Sequence, residues 1–335
     1  MSNVHRLVVS PGGRSSVSGV TATVFGASGN YGRYVVDRLG RIGSQIVVPF
    51  RDDGMEIRHL RVLADVGQVA AVPFELRDSA SIENAMSRSN VVVNLIGRFY
   101  ETKNFKFADV HVEGARALAA AARKAGVERF VHVSCLGASQ TSPSAFLRSK
   151  GDGEAAVLSE FPDAIIMRPA ATFGWEDDFL LRYAQQMRRF KWVVVANDGK
   201  AKRQPVFVEN VADAIMSALN RPEAFGQTFE LGGPDVLDVR AILKVVAQDI
   251  RMDFRALPLP LPLAKAFGWM CEQNPWKPLA TSDDFVQMGQ DIVVDPHCTN
   301  TLQTLDILPT SLHDKARLLL SVYRSERAYI ETTPF

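Results

Sequence analysis

Three glycines at equal spacing, Gly26, Gly29 and Gly32 in VFGASGNYGRYVV, are of a type and pattern that binds phosphate. They follow an apolar run and open a helical pattern, the context in which such a motif carries weight. Gly26 permits the tight turn, Gly29 lets backbone approach a pyrophosphate, and Gly32 lets helix and strand pack closely. The phosphates then rest on free N–H groups at the positive helix end. A tight strand-to-helix turn with no ligand would use the same residues.

Further on, an acid after the second strand would hold a ribose 2′-hydroxyl, whereas an arginine there suits a 2′-phosphate. The chain offers Arg51 in VPFRDD, with Arg33 behind the last glycine as a second guanidinium. A planar fork matches phosphate, so NADP(H) is expected over NAD(H). Asp52 and Asp53 keep NAD(H) open, and Arg51 could also be a solvated loop residue. Asp78 is placed either to accept from an adenine amino group or to cap a helix. Leu95 and Gly97, in NLIG, should pass beside the adenosine ribose.

The elements that position these residues alternate. Strands are expected at 20–26, 45–50, 68–76, 91–97, 129–137 and 164–170. Helices are expected at 31–43, 79–89 and 108–126, and another in SKGDGEAAVLSEF despite its two glycines. Near-continuous apolar strands between helices predict an α/β fold, a Rossmann-type doubly wound parallel sheet that binds ligands at the carboxyl ends of its strands. Beyond about 175 the pattern loosens into a helix near 177–189, WVVVA, a helix capped near Glu209-Asn210, QTFELGGPD and LDVRAILKVVAQDI. The expected division is an extension over 1–19, a nucleotide-binding domain over 20–175, and a smaller C-terminal α+β lobe over 176–335 built on it.

Bulk properties narrow the function. Lys and Arg number 38 against 37 Asp and Glu, and the basic residues are spread out, so nucleic acid is not an expected partner. Apolar runs fall short of the roughly 20 residues of a spanning helix. Cys135, Cys271 and Cys298 are far apart and in no metal-like spacing, and His132 with Cys135 lacks a second ligand pair, so no metal is expected. The first 19 residues hold Arg and Ser but no acid, the composition of an organellar address. ALPLPLPLAKAFGWM, with NPWKP after it, could lie over residues 257–278 against a membrane surface or another subunit, or form a strap on the lobe.

With Ser134, the Phe146–Lys150 segment and RPAATFG at 168–174 added, residues 20–235 resemble the extended and atypical short-chain dehydrogenases/reductases. Over nearly the whole chain, GRSSVSG before the glycine turn, NLIGRFYETKNF, GVERFVHVSCLGAS and QPVFVENVADAI sharpen the resemblance. They are similar to the nucleotide-binding accessory subunits of mitochondrial respiratory complex I, of the alpha-subcomplex subunit 9 type. That resemblance implies a matrix-side peripheral subunit at the inner membrane, other complex I subunits as partners, no free substrate, and a tightly held NADPH. It implies phosphate contacts from Gly26, Ser28, Gly29, Asn30 and Tyr31, a 2′-phosphate contact from Arg51, and Leu95 and Gly97 along the adenosine half. Lys150 and Pro169 would lie near the nicotinamide, with Ser134, or Cys135 one residue on, at the supporting hydroxyl position.

An active member of the superfamily carries Tyr where this chain has Phe146, four residues before Lys150. That phenol is the general acid, and proton transfer of this kind contributes about 10²- to 10⁴-fold. Phe has no proton to give, so the site Ser134, Phe146 and Lys150 is expected to bind without catalysing. Tyr31 and Tyr100 could approach the nucleotide from other loops. A reductase with another donor and a soluble NADP(H) sensor are the alternatives.

Overall fold

The computed structural model describes residues 18–51, 54–175, 177–274 and 278–324. Asp52 and Asp53, most of the N-terminal extension and residues 275–277 of the NPWKP stretch lie outside the described residues.

The first half alternates as its apolar runs dictate. β1 (Thr21–Phe25), α1 (Asn30–Arg41), β2 (Gln45–Phe50), β3 (Val69–Pro73), α2 (Ser79–Met86) and β4 (Val91–Asn94) come first. A π-helical turn over Ala108–Gly114 then runs into α3 (Ala115–Lys124), followed by β5 (Arg129–Val133), α4 (Ala145–Glu160) and β6 (Ile165–Pro169). All these strands pair parallel, and their side chains feed two cores, one on each sheet face. On β5, Val131 and Val133 enter one core and Phe130 the other. Burial on both faces is why these strands read as unbroken apolar runs.

The second half holds β7 (Thr172–Phe173), α5 (Leu180–Phe190), β8 (Trp192–Ala196), β9 (Lys202–Arg203), β10 (Val206–Phe207), α6 (Val208–Leu219) and β11 (Thr228–Leu231). It continues with β12 (Leu237–Asp238), α7 (Val239–Ile250), β13 (Arg255–Leu259), α8 (Leu261–Glu272), α9 (Ser282–Met288) and α10 (Leu312–Leu319). The small strands form two-stranded pairs, β10 with β7, β12 with β9 and β13 with β8. β11 is different: it joins the large sheet beside β6, giving the order β11-β6-β5-β4-β1-β2-β3. The sheet therefore draws its seventh strand from beyond residue 175. α6 packs on α1, and Arg38 of α1 binds Asp213 at 2.8 Å and Glu209 at 3.0 Å, so Glu209 ties the halves together. The cap of α6 is Phe207, not Glu209-Asn210.

Two local features depart from their patterns for a packing reason. A Cβ on Gly153 would stand 2.2 Å from the His111 carbonyl oxygen, and one on Gly151 2.7 Å from the Gln140 nitrogen. The glycines of SKGDGE thus let α4 lie directly against the π-helical turn and the loop after β5. The Leu-Pro stretch is a strand, β13, followed by α8 with Pro262 in its first turn, where a proline's missing N–H costs nothing.

Candidate functional site

The glycine turn is built as its spacing predicts. Gly26 has φ +75°, and a Cβ there would lie 3.0 Å from the Leu95 carbonyl carbon, so this turn and the end of β4 meet at that point. A Cβ on Gly32 would fall 2.0 Å from the Ala27 carbonyl oxygen, which fixes α1 close over its strand. Gly29 is the N-cap of α1, with no side-chain cap and no acid in the first turn, leaving the positive helix end open to an anion. Beside it Ser28 is exposed, and the Oδ1 of Asn30 is buried with no partner among the described residues.

Tyr31 opens the same helix, but its phenol is spent. The Thr172 hydroxyl donates to the Ala170 carbonyl at 3.0 Å, so the Tyr31 O–H donates to Thr172 Oγ1 at 2.5 Å. Burial pushes its pKa up to about 12, which makes it a weaker acid than a free phenol. Arg33 lies half-buried in the first turn, and Arg51 stands exposed at the end of β2. Asp78 caps α2, accepting from Ala80 N–H at 3.0 Å and Ser81 N–H at 3.2 Å. The structure thus displays the capping alternative for Asp78.

Gly97, Ser134, Phe146, Lys150 and Pro169 converge at the carboxyl ends of β4, β5 and β6. Lys150 is 5% exposed and donates to the Val133 carbonyl at 3.3 Å. A Cβ on Gly97 would come within 3.2 Å of the Lys150 Nζ, so that position has no room for a side chain without moving the ammonium. The Ser134 hydroxyl is buried and has no partner among the described residues. Cys135 instead packs on Phe107, Phe146 and Leu147, and burial pushes its thiol up to about 12. Ser134 is therefore the residue with a hydroxyl to offer. Pro169 is buried at the end of β6, where its carbonyl accepts from Leu136 N–H at 2.8 Å.

Two imidazoles beside the lysine were not anticipated from the sequence as site residues. His111 Nε2 accepts from the Arg98 N–H at 3.1 Å. Its Nδ1 meets the Ser149 hydroxyl at 2.8 Å, and that hydroxyl donates to the Phe146 carbonyl, so Nδ1 carries the proton. Asn94 accepts from Ile96 N–H through Oδ1, so its amide donates to His132 Nδ1 at 3.0 Å and leaves the proton on Nε2. Both rings are neutral: burial first, then the Lys150 charge, lowers His111 to about 2 and His132 to about 3.

Phe146 is 5% exposed and fills its place with hydrocarbon. Its ring stacks on Phe99 at 5.6 Å and meets Phe107 at 5.8 Å and His111 at 5.5 Å edge-on. Its helix is anchored from the other half of the chain. Asp283 of α9 accepts from Ser144 Oγ at 2.6 Å, Ala145 N–H at 2.7 Å and Phe146 N–H at 3.3 Å. The end of α9 and the segment after it are held by Arg203, which donates to the Gln287 and Gln290 carbonyls at 2.5 Å each. Ile292, further along it, packs on the Phe107–Phe146–Leu147 cluster. Asp283 carried no signal in its own neighbourhood, because its ligand set lies 137 to 139 positions away. His111 had one: a lone histidine in an Ala-rich helical run.

The residues fit a dinucleotide. An acid-free helix start with an unmet Asn30 oxygen follows β1, and an unmet Ser134 hydroxyl with a buried Lys150 stands at the carboxyl end of β5. Comparisons agree with this class. The model of the NAD dependent epimerase/dehydratase family matches residues 22–232. "NADH dehydrogenase [ubiquinone] 1 alpha subcomplex subunit 9, mitochondrial" of Mus musculus is 43% identical over 328 residues, 97% of this chain and 86% of the mouse protein. The "NADH-ubiquinone oxidoreductase 40 kDa subunit, mitochondrial" of Neurospora crassa is 39% identical over 98% of this chain and 86% of its own length. Among solved structures, the Escherichia coli NADPH-dependent quinone oxidoreductase complexed with NADPH superposes with a TM-score of 0.68 at 16% identity, covering 89% of this chain and 99% of that one. At that identity the likeness is one of fold.

Proposed function

The chain belongs to the NAD dependent epimerase/dehydratase family and, within it, to the alpha subcomplex subunit 9 group; from that premise we propose that it is a non-catalytic accessory subunit of mitochondrial NADH:ubiquinone oxidoreductase that holds NADPH as a structural element. The observation that carries this is one site pairing an intact glycine turn and buried Lys150 with an apolar ring, Phe146, where an acid would have to stand. Arg51 at the end of β2, with Arg33, is the choice for the 2′-phosphate. Gly26, Ser28, Gly29 and Asn30 serve the pyrophosphate, Leu95 and Gly97 the adenosine side, and Ser134, Lys150 and Pro169 the nicotinamide side.

On this reading the nucleotide stabilises the fold by mass action. The gain is about 4 kcal/mol when free ligand stands near 1,000 times its dissociation constant. The subunit sits on the matrix side of the inner membrane and docks on other subunits of the complex. No helix among the described residues is long and apolar enough to cross a membrane. α8 exposes Leu263, Trp269 and Met270 with Lys265 beside them, a face suited to the surface of a bilayer.

Denaturing the purified protein and identifying what it releases tests the reading directly: stoichiometric NADPH is expected. Arg51→Glu should release little or none, melt lower, and join the complex poorly. A wild-type protein that comes out free of nucleotide and melts at the same temperature with and without added NADPH would sink the proposal.

A further inference from the structure

The large sheet ends in two edges, β11 and β3, and the fold treats them differently. β11 is covered by its own chain, for Glu230 N–H donates outward to the Asn300 carbonyl at 2.9 Å. β3 pairs with β2 and with no second strand among the described residues. Ile46 N–H donates to the Gln68 carbonyl and Phe74 N–H to the Phe50 carbonyl, both at 2.8 Å. With a parallel register running from Ile46↔Val69 to Phe50↔Pro73, these bonds fix which groups face which side. Ala70, Val72 and Phe74 turn their N–H groups toward β2. The N–H groups of Val69 and Ala71 and the carbonyls of Val69, Ala71 and Pro73 turn outward, where no strand among the described residues meets them. Pro73 stands at the next outward donor position and ends the run, a place that edge strands tolerate.

Open edges are normally blunted by charged side chains or bulges. β3 carries no charged residue and pairs with β2 in unbroken register. Val69 and Ala71 are half-buried against the core that Leu63 and Ala64 also touch, and Val62 and Val66 stand exposed before the strand. We infer that this edge takes a further strand from another subunit of the respiratory complex. The strand is an extended segment with apolar residues at alternate positions, laid along Val69–Pro73. The outward groups recur at every second residue, a spacing that extended backbone matches, and alternate apolar side chains would cover Val69 and Ala71. A second copy paired edge to edge would bury about three residues a side, far below the roughly 800 Å² per partner of a stable interface. A segment of a subunit already docked beside this chain needs no such area, because its tether sets a high effective concentration. The inference rests on the accessory-subunit reading above and adds to it the place and form of one contact.

Amide hydrogen exchange, compared between the free full chain and the chain in the assembled complex on peptides covering β3, tests it. The Val69 and Ala71 amides should exchange fast in the free chain and at least about tenfold slower in the complex. Those of Ala70, Val72 and Phe74, bonded to β2, should be slow in both. Ala71→Pro removes an outward donor and leaves the ladder to β2 whole, so it should melt as the wild type does and join the complex at least about tenfold less. Ala70→Lys, a charge at an exposed edge position, should act the same way. If both variants unfold, the wild-type exchange decides. Val69 and Ala71 amides that stay fast in the complex, or folded variants that join it normally, overturn this inference and spare the accessory-subunit reading. So do amides already slow in the free chain, since the chain itself or a second copy would then cover the edge. A chain that joins no respiratory complex overturns both.

Discussion

His111 and His132 reach the same lysine from two different elements, and neither can take a proton without losing a hydrogen bond. His111 would lose the acceptor it offers Arg98, and His132 the acceptor it offers Asn94. Their folded pKa values, about 2 and about 3, lie below the value near 6.5 of an unfolded histidine. Between those limits the unfolded chain binds protons that the folded chain refuses. Stability is therefore full above about pH 6.5 and falls as the pH drops, at about 1.4 kcal/mol per pH unit for each histidine. Thermal melts from pH 7 to pH 5 should show the midpoint falling, and His111→Gln should flatten the slope relative to its own value at pH 7. A melting point independent of pH over that range would contradict the assignment of both rings. The strand-to-helix turn and the place of Lys150 were legible at this scale, because Gly26, Gly29, Gly32 and Lys150 announce themselves by type and spacing. The histidines did not: their role comes from which atoms face which, and a one-letter code does not carry a tautomer.

α4 shows what an element adds. Its sequence breaks the helical rule twice, at Gly151 and Gly153, and the structure returns the reason as close approach to Gln140 and to His111. A glycine inside a helix costs about 1 kcal/mol of propensity, which tight packing here offsets. Its N-terminus has a double cap, the local one from Ser144 and a distant one from Asp283. Asp283→Ala should cost about 1–2 kcal/mol and should speed hydrogen exchange in the first turn of α4 more than in α1. Equal protection in both helices would mean that Ser144 suffices alone. Strands β1 to β6 and their helices could be read from periodicity, since parallel strands buried on both faces leave a plain pattern. The π-helical turn could not, because its sequence has the same apolar spacing as the α-helix it leads into.

At the scale of the whole molecule, the halves are interleaved rather than stacked. β11 completes the large sheet, Arg38 binds two acids of α6, and the segment after α9 lies against Phe146 and Leu147. The expected boundary near 175 followed a real loosening of the pattern, but β11 is four residues long and short strands carry little signal of where they pair. The face of α8 belongs to this scale too, because it is directed away from the body. Leu263 and Trp269 are 59% and 62% exposed, so replacing both by Glu should leave the fold intact. Binding to anionic lipid vesicles, measured by co-sedimentation, should fall at least tenfold, since burying each such side chain is worth about 1.5–3 kcal/mol. Unchanged sedimentation would assign the face to a protein neighbour.

The bond between Ser144 and Asp283 spans 139 positions. However the chain is delivered, by ribosome or by translocation, its N-terminus leads. During synthesis, at about 5–20 residues per second, Asp283 emerges roughly 7–28 seconds after the helix end it must cap. The glycine turn and β1 to β6 exist as a segment long before the lysine-bearing helix is secured or the sheet closed. High contact order of this kind makes folding slow and leaves a sheet edge open meanwhile. The edge of β6 is that edge, since β11 arrives later to cover it. The interval makes the half-delivered chain a natural client for chaperones, and it places the decisive folding event near the end of the sequence.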